Sequence, residues 1–342
     1  MKFVVGHRPF LVVLFAFLAL LPTFANPYVM FIANMLMLYM LLALGLNLLL
    51  GYAGQFALAN AAMFGIGAYG TALLQVKLGW PYWGAAPSGA VLAMLIGTAL
   101  AFPALRLSGV YLALATLAFA LVTQWVLMHW ESVTFGAGGF AAPVLDLGPL
   151  PIGPDLAIYY LSWIVTIALI ALAWSIVRSR VGRAFVAIRD GEIAAQALGI
   201  DLLKYKAIAF ALSGFYAGTA GALYPPLLGF VAPESFDLFQ LVIQKSMVVV
   251  GGIGSIMGSI IGATLMVVVL EVLREFKAAQ EIIFGAVLIA FVIFQPHGVV
   301  ALFKKLPGWE EPLNSAGAVG RGRDYAEVLD RRTPELAADE RP

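Results

Sequence analysis

Long apolar runs, broken by short polar or proline-bearing stretches, dominate the chain. About 20 apolar residues cross a bilayer as an α-helix. Segments of this kind are expected over roughly 9–25, 28–50, 56–76, 82–104, 108–130, 157–177, 205–225, 238–256, 258–275 and 281–302. The pattern predicts an all-α polytopic membrane protein with about ten transmembrane helices. Links between several segments are very short, so helical hairpins are expected, and some segments can be broken or re-entrant. Residues 225–240 carry Pro225, Pro226 and Pro233 and leave room for a short extra helix. No strand is required, and no alternating pattern suggests a transmembrane barrel.

Composition agrees with this reading. The chain is 62% hydrophobic and 11% charged, against about 45–50% and about 25% in soluble domains. A soluble enzyme, a disordered chain and a nucleic-acid binder are poor readings on these figures. The net charge of +1 gives no bias toward an anionic partner. With no cysteine, disulfides, Cys-ligated zinc and a thiol nucleophile are excluded. His7, His129 and His297 are too far apart in sequence to read as metal ligands. Neither a cofactor nor a nucleic-acid partner is expected.

Basic residues set the orientation. With ten spans and an inner N-terminus, the cytoplasmic side holds Lys2, Arg8, Arg106, Arg178, Arg180, Arg183, Arg189, Lys204, Lys206, Lys304 and Lys305. The outer side holds Lys77, Arg274 and Lys277. Both termini are therefore expected in the cytoplasm. The outer loop 131–156 has Glu131, Asp146 and Asp155 and no basic residue. The basic start, the apolar run to Leu21 and Thr23-Phe24-Ala25 also describe a cleavable signal peptide. A retained first span is the expected reading, and cleavage would preserve the orientation. Residues 1–302 are expected to form the membrane domain, with a cytoplasmic loop at 178–204. Residues 303–342 carry 15 of the 39 charged residues and are expected to be a solvated cytoplasmic tail. Five spans precede loop 131–156 and five follow it, the parity of a 5+5 inverted repeat.

Gly65-x-Gly67-x-x-Gly70 matches the dinucleotide fingerprint but lies inside an apolar span, without the strand that motif must follow. With Ala57, Ala61, Ala68 and Ala72 at helical spacing, Gly65 reads as part of a small face for close helix packing. Gly254, Gly258 and Gly262 make two GxxxG steps, Gly214 and Gly218 another, and Gly251-Gly252 can break a helix at a turn. No phosphate-binding Gly-x-x-x-x-Gly-Lys-Ser/Thr motif occurs.

Loop 178–204 fits two short amphipathic helices around Asp190-Gly191, with Phe185, Ile188, Ile193 and Leu198 as apolar contacts. It reads either as a docking helix pair or as a basic loop that only sets orientation. Lys245 looks like the one clearly embedded charge. It can pair with Glu271, face an aqueous cavity or snorkel outward. Gln55, Asn60, Gln75, Thr116 and Gln124 either line a path for a neutral solute or bond between helices.

Four blocks then carry a resemblance. They are Gly45 to Gln55 with Ala62 to Tyr69; Val110 to Phe119; Gly182 to Ile200 with Ala220 to Leu223; and Gly251 to Ser255 with Gly262-Ala263. Together they cover most of 30–300, and the chain resembles the membrane subunits of branched-chain amino acid (Liv-type) ABC importers. The resemblance implies a permease for aliphatic amino acids that works by alternating access and is not itself an enzyme. Urea or short amides are the alternative cargo. The implied partners are a second homologous permease, two cytoplasmic ATP-binding subunits, a periplasmic substrate-binding protein and membrane lipid. It makes Arg183, Arg189, Asp190, Gly191, Glu192, Ala194, Ala195 and Gly199 the expected ATPase-coupling residues. Ala194 and Ala195 are expected to dock in a cleft, Gly191 to give a sharp turn and Gly199 to end the helix. Gln55, Asn60, Thr116, Gln124 and Lys245 are expected on the translocation path. Ala59-Asn60 departs from the Gly-His common in the family, and Glu192 falls one place early.

Overall fold

A computed structural model describes residues 21–24, 26–107, 109–143, 145, 153–276, 280–295 and 298–300. Most of the expected first span, the tail, and Asp146, Lys277 and His297 lie outside the described residues. The helices are α1 (Pro27–Asn47), α2 (Asn60–Leu78), α3 (Tyr82–Arg106), α4 (Val110–His129), the single turn α5 (Glu131–Thr134), α6 (Pro154–Arg178), α7 (Arg180–Asp190), α8 (Glu192–Ala197), α9 (Leu202–Leu228), α10 (Leu238–Gly251), α11 (Ile256–Leu273) and α12 (Gln280–Phe294).

Six helical stretches are long and apolar enough to cross a membrane: Pro27–Tyr52, α3, α4, α6, α9 and α11. The chain is thus a multi-pass, all-α membrane protein. Short polar residues start several helices by accepting a hydrogen bond from a backbone N–H of the first turn. Ser179 does so for α7, Asp201 for α9, Asp237 for α10 and Ser255 for α11.

Several expectations are corrected. At 14 residues, α10 is about 21 Å long, short of a bilayer's roughly 30 Å. The expected span 238–256 is therefore a shortened helix that stops at Gly252, whose φ is +127°. The span expected from 56 starts at Asn60, leaving 53–59 irregular. Pro225 and Pro226 fall in the last turn of α9, and Pro233–Phe236 is a 3₁₀ turn rather than a further α-helix. Two-residue strands β1 (Phe140–Ala141) and β2 (Phe230–Val231) pair antiparallel, where no strand was expected.

Helix α9 is the centre of the bundle, packed against α3, α2 and α1. Small residues make this approach close. A Cβ on Gly67 would lie 2.3 Å from Gly218 O, and one on Gly214 2.6 Å from Ala93 O. The GxxxG steps do the same between α10 and α11, where a Cβ on Gly262 would lie 1.9 Å from Met247 O. Gly65, Gly67 and Gly70 all lie within α2, so the fingerprint reading has no place in the fold. By contrast, α4 keeps Val110, Tyr111, Leu114, Leu121, Val122 and Trp125 exposed.

Candidate coupling and translocation site

Loop 178–204 folds as the expected helix pair. Phe185 and Ile188 of α7 are buried in the chain's own core. Ile193 and Leu198 do not join them. They are 87% and 81% exposed, whereas Ala195 is 1% exposed. The rotation of α8 therefore turns Ala195 inward and leaves Ala194 outward, which corrects the expectation that both alanines face a partner. The φ of Gly191, 173°, is extended backbone open to any residue, so the turn there does not require glycine. Gly199 does, at φ +82°. The Gly199 N–H donates to Gln196 O at 2.9 Å and the Ile200 N–H to Ala195 O at 3.0 Å, which closes the helix end. Arg183 is exposed, and its Nη1 donates to Arg178 O at 3.4 Å.

Polar contacts tie the pair to the ends of three longer helices. Arg189 Nη1 donates to Gly51 O at 2.8 Å, and its Nε to Asp190 Oδ1 at 3.3 Å. Gly51 lies in a π-helical turn, Leu48–Tyr52, that prolongs α1. Such turns are frequent at functional sites. Gly54, at φ +67°, lies flat on Arg189, whose Cγ would be 2.8 Å from an added Cβ. Glu192 Oε1 receives Lys206 Nζ of α9 at 2.7 Å and Gln55 Nε2 at 3.3 Å. Lys206 Nζ also reaches Ala104 O of α3 at 3.3 Å. Asn47 closes the same end. Its Nδ2 donates to Ser255 O and Ser259 Oγ, both at 2.7 Å, and its Oδ1 accepts from Gly254 N at 2.8 Å.

A second polar cluster lies within the spans. Asn60 Nδ2 donates to Gln244 Oε1 at 2.8 Å, and Asn60 Oδ1 accepts from Ser213 Oγ at 3.2 Å. Gln244 is fully buried, and its Nε2 has no partner among the described residues. Lys245 Nζ donates to Ala57 O and lies 4.9 Å from the Phe56 ring centroid. Thr116 Oγ1 accepts from Leu58 N at 2.8 Å, holding the irregular 53–59 segment from α4.

Of the five expected path residues, Asn60, Thr116 and Lys245 thus converge on that segment and its neighbours. Gln55 belongs to the Glu192 contact, and Gln124 stands apart, half-buried on α4. Lys245 does not pair with Glu271, which instead accepts from Tyr28 OH and Arg274 Nη1 at the opposite end. Lys206, at the loop end of α9, is a second cation buried by the protein, at 2% exposure. Asn47, Lys206 and Ser213 were missed. An amide inside an apolar run, near its end, was the available signal for Asn47. Among the described residues no three His, Asp or Glu side chains converge as metal ligands would.

Comparison with known proteins bears on this arrangement. A family profile described as branched-chain amino acid transport system / permease component matches residues 28–292. The chain is 31% identical to the high-affinity branched-chain amino acid transport system permease protein LivM of Escherichia coli, over 87% of this chain and 76% of that one. It is 26% identical to the corresponding protein LivH of the same organism, over 77% of this chain and 91% of that one. An autoinducer 2 import system permease protein, LsrC of Klebsiella pneumoniae, is 26% identical over 52% of this chain and 54% of its own length.

Proposed function

Since the chain belongs to the family of branched-chain amino acid transport permease components, we propose that it is the membrane subunit of an ATP-driven importer for aliphatic amino acids. It works beside a second, similar permease, with two cytoplasmic ATP-binding subunits and a periplasmic binding protein. It sits in the bacterial inner membrane with both termini in the cytoplasm. Residues 1–302 form the translocating domain and 303–342 a cytoplasmic tail. The chain hydrolyses nothing itself. Its role is to convert closure of the ATPases into alternating access.

One observation carries the coupling part of this reading. Helix α8 exposes Ile193 and Leu198 to the outside while Glu192, at its start, is held by Lys206 and Gln55. An exposed apolar pair on a short helix supplies a docking face, and the polar ties make that helix move as a unit with α9, α3 and the end of α1. A loop that served only topology would need neither. Replacing Ile193 and Leu198 together by Asp should cut ATPase recovery in a pull-down by about tenfold or more, the scale of losing two apolar anchors at an interface. Membrane insertion should be unchanged, because both residues lie outside the spans. Undiminished recovery would return the loop to a topological role. Cargo is tested by uptake of L-leucine, urea and short amides into vesicles holding the whole importer. Uptake of urea or amide alone would replace the amino acid reading.

A further inference from the structure

Lys245 stands seven residues after Leu238 and six before Gly251, midway along the shortened helix α10. An ammonium has three N–H donors. Here one goes to Ala57 O, and the Phe56 ring gives partial compensation. The ion pairs among the described residues are Arg189–Asp190, Lys206–Glu192 and Arg274–Glu271, so no carboxylate among them lies within ion-pair distance of Lys245. A lysine on a lipid face extends its head toward the headgroups. This one turns onto the carbonyl of the irregular 53–59 segment instead. Its face is nonetheless open from this chain, because Val242, one turn earlier, is 37% exposed and Phe56 is 47% exposed. The adjacent Gln244 points the other way, fully buried against Asn60.

A cation held within the spans, short of acceptors and flanked by open apolar surface, matches one kind of solute: an anionic head on an aliphatic body. We propose that Lys245 is a carboxylate-recognition site on the translocation path, with Phe56 and Val242 meeting the aliphatic side chain. This rests on the amino acid reading above and sharpens it, since urea and amides lack the anion that Lys245 selects. A single ammonium contact also suits a path, where the solute must be held and then let go.

The chain has no cysteine, so Val242→Cys places one reporter thiol on this face. Vesicles carrying the assembled importer are treated with the impermeant reagent 2-sulfonatoethyl methanethiosulfonate, and the mass shift of this chain is followed in time. L-Leucine should slow labelling about tenfold, the scale of one charge-assisted hydrogen bond, and L-leucinamide should not. Adding Lys245→Met should abolish the protection, and Lys245→Arg should keep it. No labelling under any condition would mean that lipid or a partner covers the face, and would overturn the site. So would protection that survives Lys245→Met, or equal protection by leucinamide. Leucine uptake by the same vesicles is scored separately. Uptake without Lys245-dependent protection overturns this site and leaves the transport reading standing, while absence of both overturns both.

Discussion

Lys206 lies one turn into α9, where a basic residue beside a span reads as an orientation signal. In the fold its ammonium is buried against Glu192 and Ala104 O, and Gln55 donates to the same Glu192 carboxylate, so that these contacts join α8, the 53–59 segment and α3 to α9. Removing one partner from a fully buried pair costs about 3–5 kcal/mol. Glu192 is 39% exposed at its side chain and keeps part of its hydration, so Lys206→Met should cost less, about 1–2 kcal/mol. Thermal unfolding of the detergent-solubilised protein measures this. The same variant should keep basal ATP hydrolysis in the assembled importer and lose its stimulation by substrate. Asn47 offers a second test. Asn47→Ala leaves Gly254 N and Ser259 Oγ without their partner, and should destabilise by about 2–4 kcal/mol. A midpoint unchanged from wild type would show that water replaces the amide.

At the scale of elements, the apolar runs made most helices legible, because burial in lipid and helix length are both properties of a single segment. The small faces were legible for the same reason. Gly262 and Gly285 look alike in sequence, each within an apolar run. A Cβ on Gly262 would strike Met247 O, whereas among the described residues nothing lies within 4 Å of one on Gly285. Gly285→Ala should therefore be neutral or stabilise by up to about 1 kcal/mol, and Gly262→Ala should destabilise by about 1–3 kcal/mol. Equal unfolding midpoints for the two variants would contradict the α10–α11 packing. The phase of α8 was not legible. Six residues are too few for periodicity to choose a face, and only docking against Lys206 and Gln55 turns Ala195 in and Ile193 and Leu198 out. Composition alone could not separate a shortened helix from a full span in 238–256, since both are equally apolar, and only the Gly251-Gly252 pair signalled the break. The break depends on Gly252.

Across the whole molecule, the contacts sort helix ends into two groups. Arg106, Arg178, Arg189 and Lys204 belong with Gly51 and Gly254 at one end. Lys77, near Ser132, and Arg274, on Tyr28, belong with the β1–β2 pair at the other. This is the segregation that the positive-inside rule demands. Reporters fused at residues 145 and 315 should accordingly report opposite sides of the membrane, outer and inner. Finding both on one side would overturn the orientation.

The β1–β2 pair has a mechanical consequence. It joins the stretch after α4 to the one after α9, through Phe140 with Val231 and Ala141 with Phe230. Helix α9, 27 residues long, is a rod of about 40 Å. One end is thereby tethered, and the other carries Lys206, where the proposed coupling would apply its push through Glu192. Moving together with the helices packed along it, a rod so tethered would turn about its tether, with displacement falling in proportion to distance from that point. About two-thirds of the stroke applied at Lys206 survives at Ser213, by the rise per residue. Ser213 holds Asn60, and Asn60 holds Gln244 beside Lys245. Under the proposed coupling, the β1–β2 staple would be the fulcrum and the polar cluster in the spans the place where leverage is delivered.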